Sequence, residues 1–272
     1  MLYKIKFLLK KILGNKFINL LKLFYTYIIF NFNKSNLKKI DSKNILYKFP
    51  RKSFAIDKFN SFKKNNKNIF HSSNKSEAIS FIDQYLIKEI VTELKPEKIL
   101  EIGTFIGASS LVIGKTLKIL NDSFTLDTVD ITDVNSKDFK EFINKNYFID
   151  QTPFEIFKKN HIENNINFFT YKSYDFFKRN KNKYDFIFID GSHQFKDVYD
   201  DICNSLKILN KSGLILIHDY YYSKNKVTNK IISYGPYFAL KKILNENQNL
   251  ELLPLKELVH FTNTSLVLIQ NR

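Results

Sequence analysis

Along most of the chain the spacing of apolar residues switches repeatedly between helical and strand-like. From Asn74 the residues Ala78, Ile79, Ile82, Tyr85, Leu86 and Ile90 keep helical spacing to about Leu94, where Pro96 stops the pattern. Asn74 is the predicted N-cap, with Glu77 reaching back three residues later. A short apolar run, Ile99, Leu100 and Ile102, then ends at Gly103. Four residues on comes Gly107, followed by a helical pattern through Ala108, Leu111 and Val112 to about residue 120. This predicts a buried strand turning sharply into a helix. Gly103 suits the tight turn, and Gly107 lets the backbone approach something bound there.

The alternation continues. Residues 124–131 read as a second strand and 137–146 as a short helix, and a further helix is predicted near 154–164. Residues 167–171 and 184–189 are the third and fourth strands. Phe195, Val198, Ile202, Leu206 and Leu209 give the next helix its apolar face, closed by Gly213, with Asp197, Asp200 and Asp201 as its polar face. A fifth strand at 214–217, a helix from 236 to about 245 and two closing strands near 250–254 and 265–269 complete the pattern. Strands alternating with helices predict an α/β domain with a doubly wound, mostly parallel seven-stranded sheet, ending in an antiparallel hairpin.

Composition changes the picture chiefly at the amino terminus. The chain has 272 residues and a net charge of +16. Residues 1–75 carry 18 Lys/Arg against Asp41 and Asp57 only, whereas residues 76–272 balance 25 basic with 25 acidic side chains. The expected division is therefore a basic amphipathic extension and linker at 1–75 and a balanced domain at 76–272. Within 17–32 the apolar run is broken by Asn19, Lys22, Thr26 and Asn31, short of the roughly 20 residues of a spanning helix. Residues 1–32 fit a basic, aromatic-rich helix lying on an anionic membrane surface, and 33–73 read as a linker or loosely docked segment. The single cysteine, Cys203, predicted in a helix core, excludes an internal disulfide and fits a reducing, cytoplasmic setting, to which the basic residues 1–32 add peripheral attachment to the inner face of the membrane.

The candidate chemistry lies at the ends of the predicted strands. Glu101, Asp130, Asp190 and Asp219 each close one of them, and a parallel sheet brings such ends to one crevice. Asp130, 27 residues beyond Gly103, suits a ribose diol. Asp190 and Asp219 would repel each other unless a cation or a proton lies between them, and carboxylates suit Mg²⁺. His193, three residues past Asp190, is placed to act as a base. His218 reads as a buried histidine with a backbone partner. No Cys/His cluster has zinc spacing.

Two motifs carry a resemblance: Phe188-Ile189-Asp190-Gly191-Ser192-His193 and Ile217-His218-Asp219-Tyr220. Together with the Glu101-x-Gly103-x-x-x-Gly107 turn, they make residues 76–272 similar to class I S-adenosylmethionine-dependent methyltransferases, within them the sugar and catechol O-methyltransferases. The resemblance implies a Rossmann-like methyltransferase fold. It also implies a donor site drawn from Glu101, Gly103, Thr104, Gly107, Ser109, Asp130 and Asp190. It further implies Mg²⁺ on Asp190 and Asp219 and His193 as the base. The chain departs from the pattern at His218, where some of those enzymes have an acid. The absence of Asn/Asp-Pro-Pro-Tyr after the fourth strand favours an oxygen acceptor over an amine.

The rival readings are a nicotinamide-dependent dehydrogenase and a membrane- or RNA-binding module on the same scaffold. The first lacks Gly-x-Gly-x-x-Gly, since Thr104-Phe105 stand where the second glycine should be. The second would need a basic, aromatic crevice, and this crevice is acidic, so no nucleic-acid partner is expected. Residues 132–160 and 220–235, rich in Lys, Tyr and Asn, suit a small polar acceptor such as a sugar or glycan.

Overall fold

A computed structural model describes residue 28 and residues 46–66, 79–120, 123–221, 234–262 and 264–272. The expected amphipathic helix within 1–32, the Asn74–Glu77 cap and part of the acceptor-side stretch 220–235 lie outside the described residues. Seven strands form one sheet: β1 (Lys98–Ile102), β2 (Thr125–Asp130), β3 (Ile166–Thr170), β4 (Tyr184–Ile189), β5 (Leu209–Ile217), β6 (Leu250–Pro254) and β7 (Val267–Asn271). Their order is β3-β2-β1-β4-β5-β7-β6. β3 through β5 pair in parallel, whereas β7 is antiparallel to both of its neighbours. The chain leaves β1 toward β2 on one side and has β4 on the other, so the topological switch point lies between β1 and β4.

Alternation along the strands feeds two cores. One contains Ile99, Leu126, Phe186, Phe188 and Leu216, covered by α2 (Phe81–Leu94), α3 (Ala108–Leu120), α4 (Lys137–Tyr147) and α5 (Pro153–Lys159). The other contains Leu100, Ile102, Ile187, Ile189 and Ile217, covered by α6 (Ser173–Arg179), α7 (Phe195–Ile208) and α8 (Tyr234–Glu246). Both faces are sealed, as a parallel sheet requires.

Several boundaries differ from the sequence reading. α2 begins at Phe81, and its N-cap is Ser80, whose hydroxyl accepts from the Asp83 amide. Leu209 opens β5, opposite Tyr184, instead of closing α7. Gly213 lies within that strand, and its carbonyl accepts from the Tyr47 amide. The short helix α6 was not foreseen. It accounts for Asp201, which is buried, not part of a solvated face; burial raises its carboxyl to about 7 against the pull of a Ser173 hydrogen bond.

Residues 46–66 are firmly docked. Leu46 bridges to Gly213, Phe49 is buried, and Phe59 and Phe62 of α1 (Ile56–Asn65) pack on the Tyr85 ring. Among the described residues, no helix is long and apolar enough to cross a membrane.

Candidate active site

The carboxyl ends of four adjacent strands are stitched together by main-chain bonds. Gly103 N–H donates to Val129 C=O at 2.8 Å, Asp190 N–H to Ile102 C=O at 2.8 Å, and His218 N–H to Ile189 C=O at 3.1 Å. The turn after β1 therefore lies directly against the turn after β4. Gly103 has φ +101°, and a Cβ there would stand 2.2 Å from the Asp190 carbonyl oxygen. Only glycine meets both demands.

Asp130 closes β2 beside this turn. One carboxylate oxygen accepts from the amides of Thr104 (3.1 Å) and Phe105 (3.0 Å), the other from Thr132 (2.9 Å). The acid thus shapes the loop that would meet a donor and remains partly open to the crevice, with the exposed Ile131 next to it. Gly107 is closely packed within the protein. What approaches its α-carbon is the protein itself, with the Phe157 ring 2.9 Å and Pro153 3.1 Å from a built Cβ.

Glu101 departs from its expected place at the strand end. It is the fourth residue of β1, not its end, so strand alternation turns it onto the face covered by α3. There it is fully buried and accepts hydroxyl bonds from Ser109 (2.5 Å), Thr128 (2.5 Å) and Ser110. Thr104 is buried alongside, its hydroxyl 2.6 Å from that of Thr128. Burial pushes the Glu101 carboxyl up to about 7, although the three hydroxyls pull it down. The side chains of Glu101, Thr104 and Ser109 are buried and fasten the turn to the sheet from beneath.

The second half of the crevice is a cluster of four titratable side chains at the ends of β4 and β5. His193 Nε2 bonds to Asp219 Oδ2, and His218 Nδ1 lies 3.0 Å from Asp190 Oδ1 and 3.6 Å from Asp219 Oδ1. Asp219 has φ +59°, an uncommon left-handed conformation for a non-glycine residue. Tyr221 donates to its other carboxylate oxygen at 3.2 Å. His193 does not cap α7. Ser192 takes the local turn instead, accepting from the Gln194 amide and donating to Asp197. The His193 main chain is gripped from above by α8, since a Cβ on Gly235 would fall 2.0 Å from the His193 carbonyl oxygen.

Electrostatics follow from the contacts. The Asp219 bond raises the His193 ring above its usual range, outweighing the effect of burial. Burial would raise Asp219, but the His193 hydrogen bond and the charges of both imidazoles prevail and lower it. Burial would likewise depress His218, yet the Asp190 charge and hydrogen bond, with Asp83 and Asp219, hold it well above its usual range. The expected backbone partner of His218 is thus replaced by carboxylates.

The sequence reading missed Asp83. It belongs to the first turn of α2, is buried, accepts hydroxyl bonds from Ser80 and Thr264, and faces His218 Nε2 at 3.5 Å. The only local signal was its place three residues after a capping serine. Cys203, by contrast, is the expected core residue, its thiol pushed up to about 12 by burial.

Ligand atoms of Asp190, His193 and Asp219 lie within 4.8 Å of one another, close enough to share a metal ion. Magnesium nonetheless fits poorly. One carboxylate oxygen of Asp190 and one of Asp219 already bond to imidazole nitrogens. Among the described residues, the cavity beside the cluster, walled also by Ile189, Val198 and Ile217, is about 10 Å³, room for about one water, whereas bound Mg²⁺ keeps several.

A family model described as a methyltransferase domain matches residues 100–220. No curated protein sequence matches the chain significantly. Among solved structures, the chain is similar to an S-adenosylhomocysteine-bound methyltransferase of Podospora anserina (16% identity, 81% of this chain and 90% of that one, TM-score 0.54). It is also similar to an S-adenosylhomocysteine complex of an O-methyltransferase of Bacillus cereus (13%, 80% and 92%, TM-score 0.52). A third is the S-adenosylmethionine complex of the O-methyltransferase TomG of Streptomyces achromogenes (12%, 80% and 91%, TM-score 0.52). At these identities the likeness establishes the fold, a Rossmann-like methyltransferase arrangement.

Proposed function

We propose that the chain is an S-adenosylmethionine-dependent methyltransferase acting on a hydroxyl of a small polar acceptor, such as a sugar or glycan, with His193 as the base. The observation that carries this reading is the contact between the Gly103 turn and Asp190, which joins a nucleotide-type crevice to an acid/base cluster at the switch point. The match of residues 100–220 to a methyltransferase domain supports it.

The donor brings a methyl group on a sulfonium that is already a good leaving group. The residues fit such a molecule: Asp130 is partly open at the end of β2, the Gly103 turn presents main chain and not side chains, and exposed Ile131 offers an apolar edge beside the acid. Asp130 would accept from the ribose diol, with the Gly103–Thr104 backbone beside the methionine part.

What remains for the chain is to align an acceptor oxygen and take its proton. As the new C–O bond forms and the C–S bond breaks, the hydroxyl proton passes to His193. Asp219 holds the ring through Nε2 and stabilises the imidazolium that results. This assignment leaves Nδ1 as the accepting nitrogen when Nε2 carries the proton toward Asp219. No step is routed through a metal.

The test is incubation of the full chain with methyl-labelled donor and a panel of free and nucleotide-linked sugars. Label in an alkali-stable ether is the expected product. Label on nitrogen or carboxyl groups alone would overturn the oxygen assignment.

A further inference from the structure

β3 stands at one end of the sheet, so only one of its sides is paired. The direction of its main-chain groups follows from one bond. Tyr171 N–H donates to Asp130 C=O at 2.9 Å, so by strand alternation the groups of Asn167 and Phe169 also face β2. Those of Ile166, Phe168 and Thr170 face outward. The Ile166 N–H donates to Glu163 C=O; otherwise, among the described residues, no main-chain bond reaches the outer side. Edge strands are ordinarily guarded by lysine, proline, a bulge or a covering element. β3 reads Ile-Asn-Phe-Phe-Thr, without charge or proline, and pairs with β2 without a bulge. The helices over its two faces lie inboard. α5 rests Pro153 and Phe157 on Gly107 in the turn after β1, and α6 packs on β2 and α7. Exposed rings border the edge: Phe154, 44% exposed, meets Phe168 on one face, and Tyr174 of α6, 56% exposed, stands at the other.

We propose that this edge joins a second copy of the chain, β3 pairing antiparallel with its twin across a two-fold axis to give one continuous sheet. The arrangement is self-complementary, as a two-fold interface must be. With the axis at Phe168, Phe168 lies opposite its own copy and Ile166 opposite Thr170, and these are the residues whose groups point outward. Phe168 exchanges two bonds with its twin, and each Thr170 N–H donates to an Ile166 C=O, about four main-chain bonds in all. The two Phe168 rings fall on one face as a cross-strand aromatic pair, with Phe154 of each copy beside them. Charge matches as well. α5 has Glu155 in its first turn and Lys158 and Lys159 in its last, and it runs opposite to β3. The two-fold therefore turns the lysine end of one α5 toward the acidic end of the other, with the helix dipoles opposed. Residues 76–272 balance 25 basic with 25 acidic side chains, so net charge does not hold the two bodies apart. The inference stands apart from the methyltransferase reading, since no residue assigned to the donor or to proton transfer takes part.

The test is analytical sedimentation of the full chain as wild type, Thr170→Pro and Phe154→Lys. A proline whose missing N–H lies on the outer side of an edge strand leaves the inner ladder intact. A lysine at exposed Phe154 guards the edge as natural sheets do. Wild type is expected to sediment as a dimer, and each variant to weaken that dimer at least about tenfold while still melting cooperatively. Wild type that stays monomeric up to the concentrations used for calorimetry overturns the proposal. So does an assembly that both folded variants leave intact, the result expected if residues 1–45 or another face held the copies together.

If neither variant folds, amide hydrogen exchange of wild type decides. The outward amides of Phe168 and Thr170 should exchange more slowly as chain concentration rises, whereas the inward amides of Asn167 and Phe169 should not change. Exchange at Phe168 and Thr170 that is independent of concentration overturns the pairing.

Discussion

His218 Nδ1 stands 3.0 Å from Asp190 Oδ1, so the side chains that end β4 and β5 are joined by a hydrogen-bonded imidazole. From that contact the rest of the cluster follows. Asp190 and His218 are locked together, Asp219 is left to His193 and Tyr221, and His193 is the most exposed of the four.

His193 must be neutral to accept a proton, and its bond to Asp219 holds it above the ordinary 6.5. Methyl transfer should therefore rise with pH through an apparent value above 6.5 and then level off. His193→Gln should lose about 10²- to 10⁴-fold in kcat and the rising limb with it, while S-adenosylhomocysteine binding is kept. A pH–rate profile of both proteins checks this. A flat wild-type profile between pH 6 and 8 would remove His193 as the base.

Glu101 gives a stability prediction of the opposite kind. Its folded-state value near 7, against an ordinary 4.5, means the folded chain holds a proton that the unfolded chain has released. Stability from this group is present below about 4.5 and is lost as pH rises through 7, on the order of 3 kcal/mol in all. Glu101→Gln keeps an acceptor for the hydroxyls without a charge to bury. Its melting temperature should vary less between pH 5.5 and 8 than that of wild type. Parallel curves for the two proteins would contradict the assignment.

Two glycines make separable predictions. Gly103→Ala drives a methyl group into the Asp190 carbonyl at a positive φ. It should destabilise by roughly 2 kcal/mol or more and weaken donor binding. Gly235→Ala pushes instead on the His193 carbonyl. Since a displacement of about 1 Å at a reacting group costs about 10²-fold, kcat should fall while donor affinity stays within a factor of two or so. Calorimetry with S-adenosylhomocysteine beside steady-state rates distinguishes the two.

The sequence announced the sheet because its strands are short apolar runs cut off by Gly103, Gly191 and Pro96, and both faces are buried. It placed Asp130, Asp190, His193 and Asp219 at one sheet edge because parallel strand ends converge whatever lies between them. Glu101 misled because one residue of strand register decides whether an acid faces the crevice or the helix, and composition does not reveal register. Asp83 was illegible for another reason. Its partner His218 is 135 positions away, and only the docking of α2 beside β5 brings them together. Asp201 and Leu209 were misplaced by the unforeseen α6 and by a strand that begins without a break after α7.

The basic segment before residue 46 carries a separate proposal, attachment to an anionic bilayer. Each lysine near such a surface contributes about 1 kcal/mol. Leu46, Phe49 and α1 belong to the folded body, so the informative truncation starts at Leu46. Full chain should float with anionic vesicles and release in salt, and the truncated chain should not. Equal behaviour of the two would leave the lysines as a solvated tail.

A donor crevice between the Gly103 turn and Asp130 is open to calorimetric titration of the full chain with S-adenosylhomocysteine. Saturable binding is expected at one site per chain, weakened at least about tenfold in Asp130→Asn by the lost ribose acceptor, with no competing heat from a nicotinamide dinucleotide. No binding of S-adenosylhomocysteine by folded wild-type protein, or equal affinity in Asp130→Asn, would contradict it.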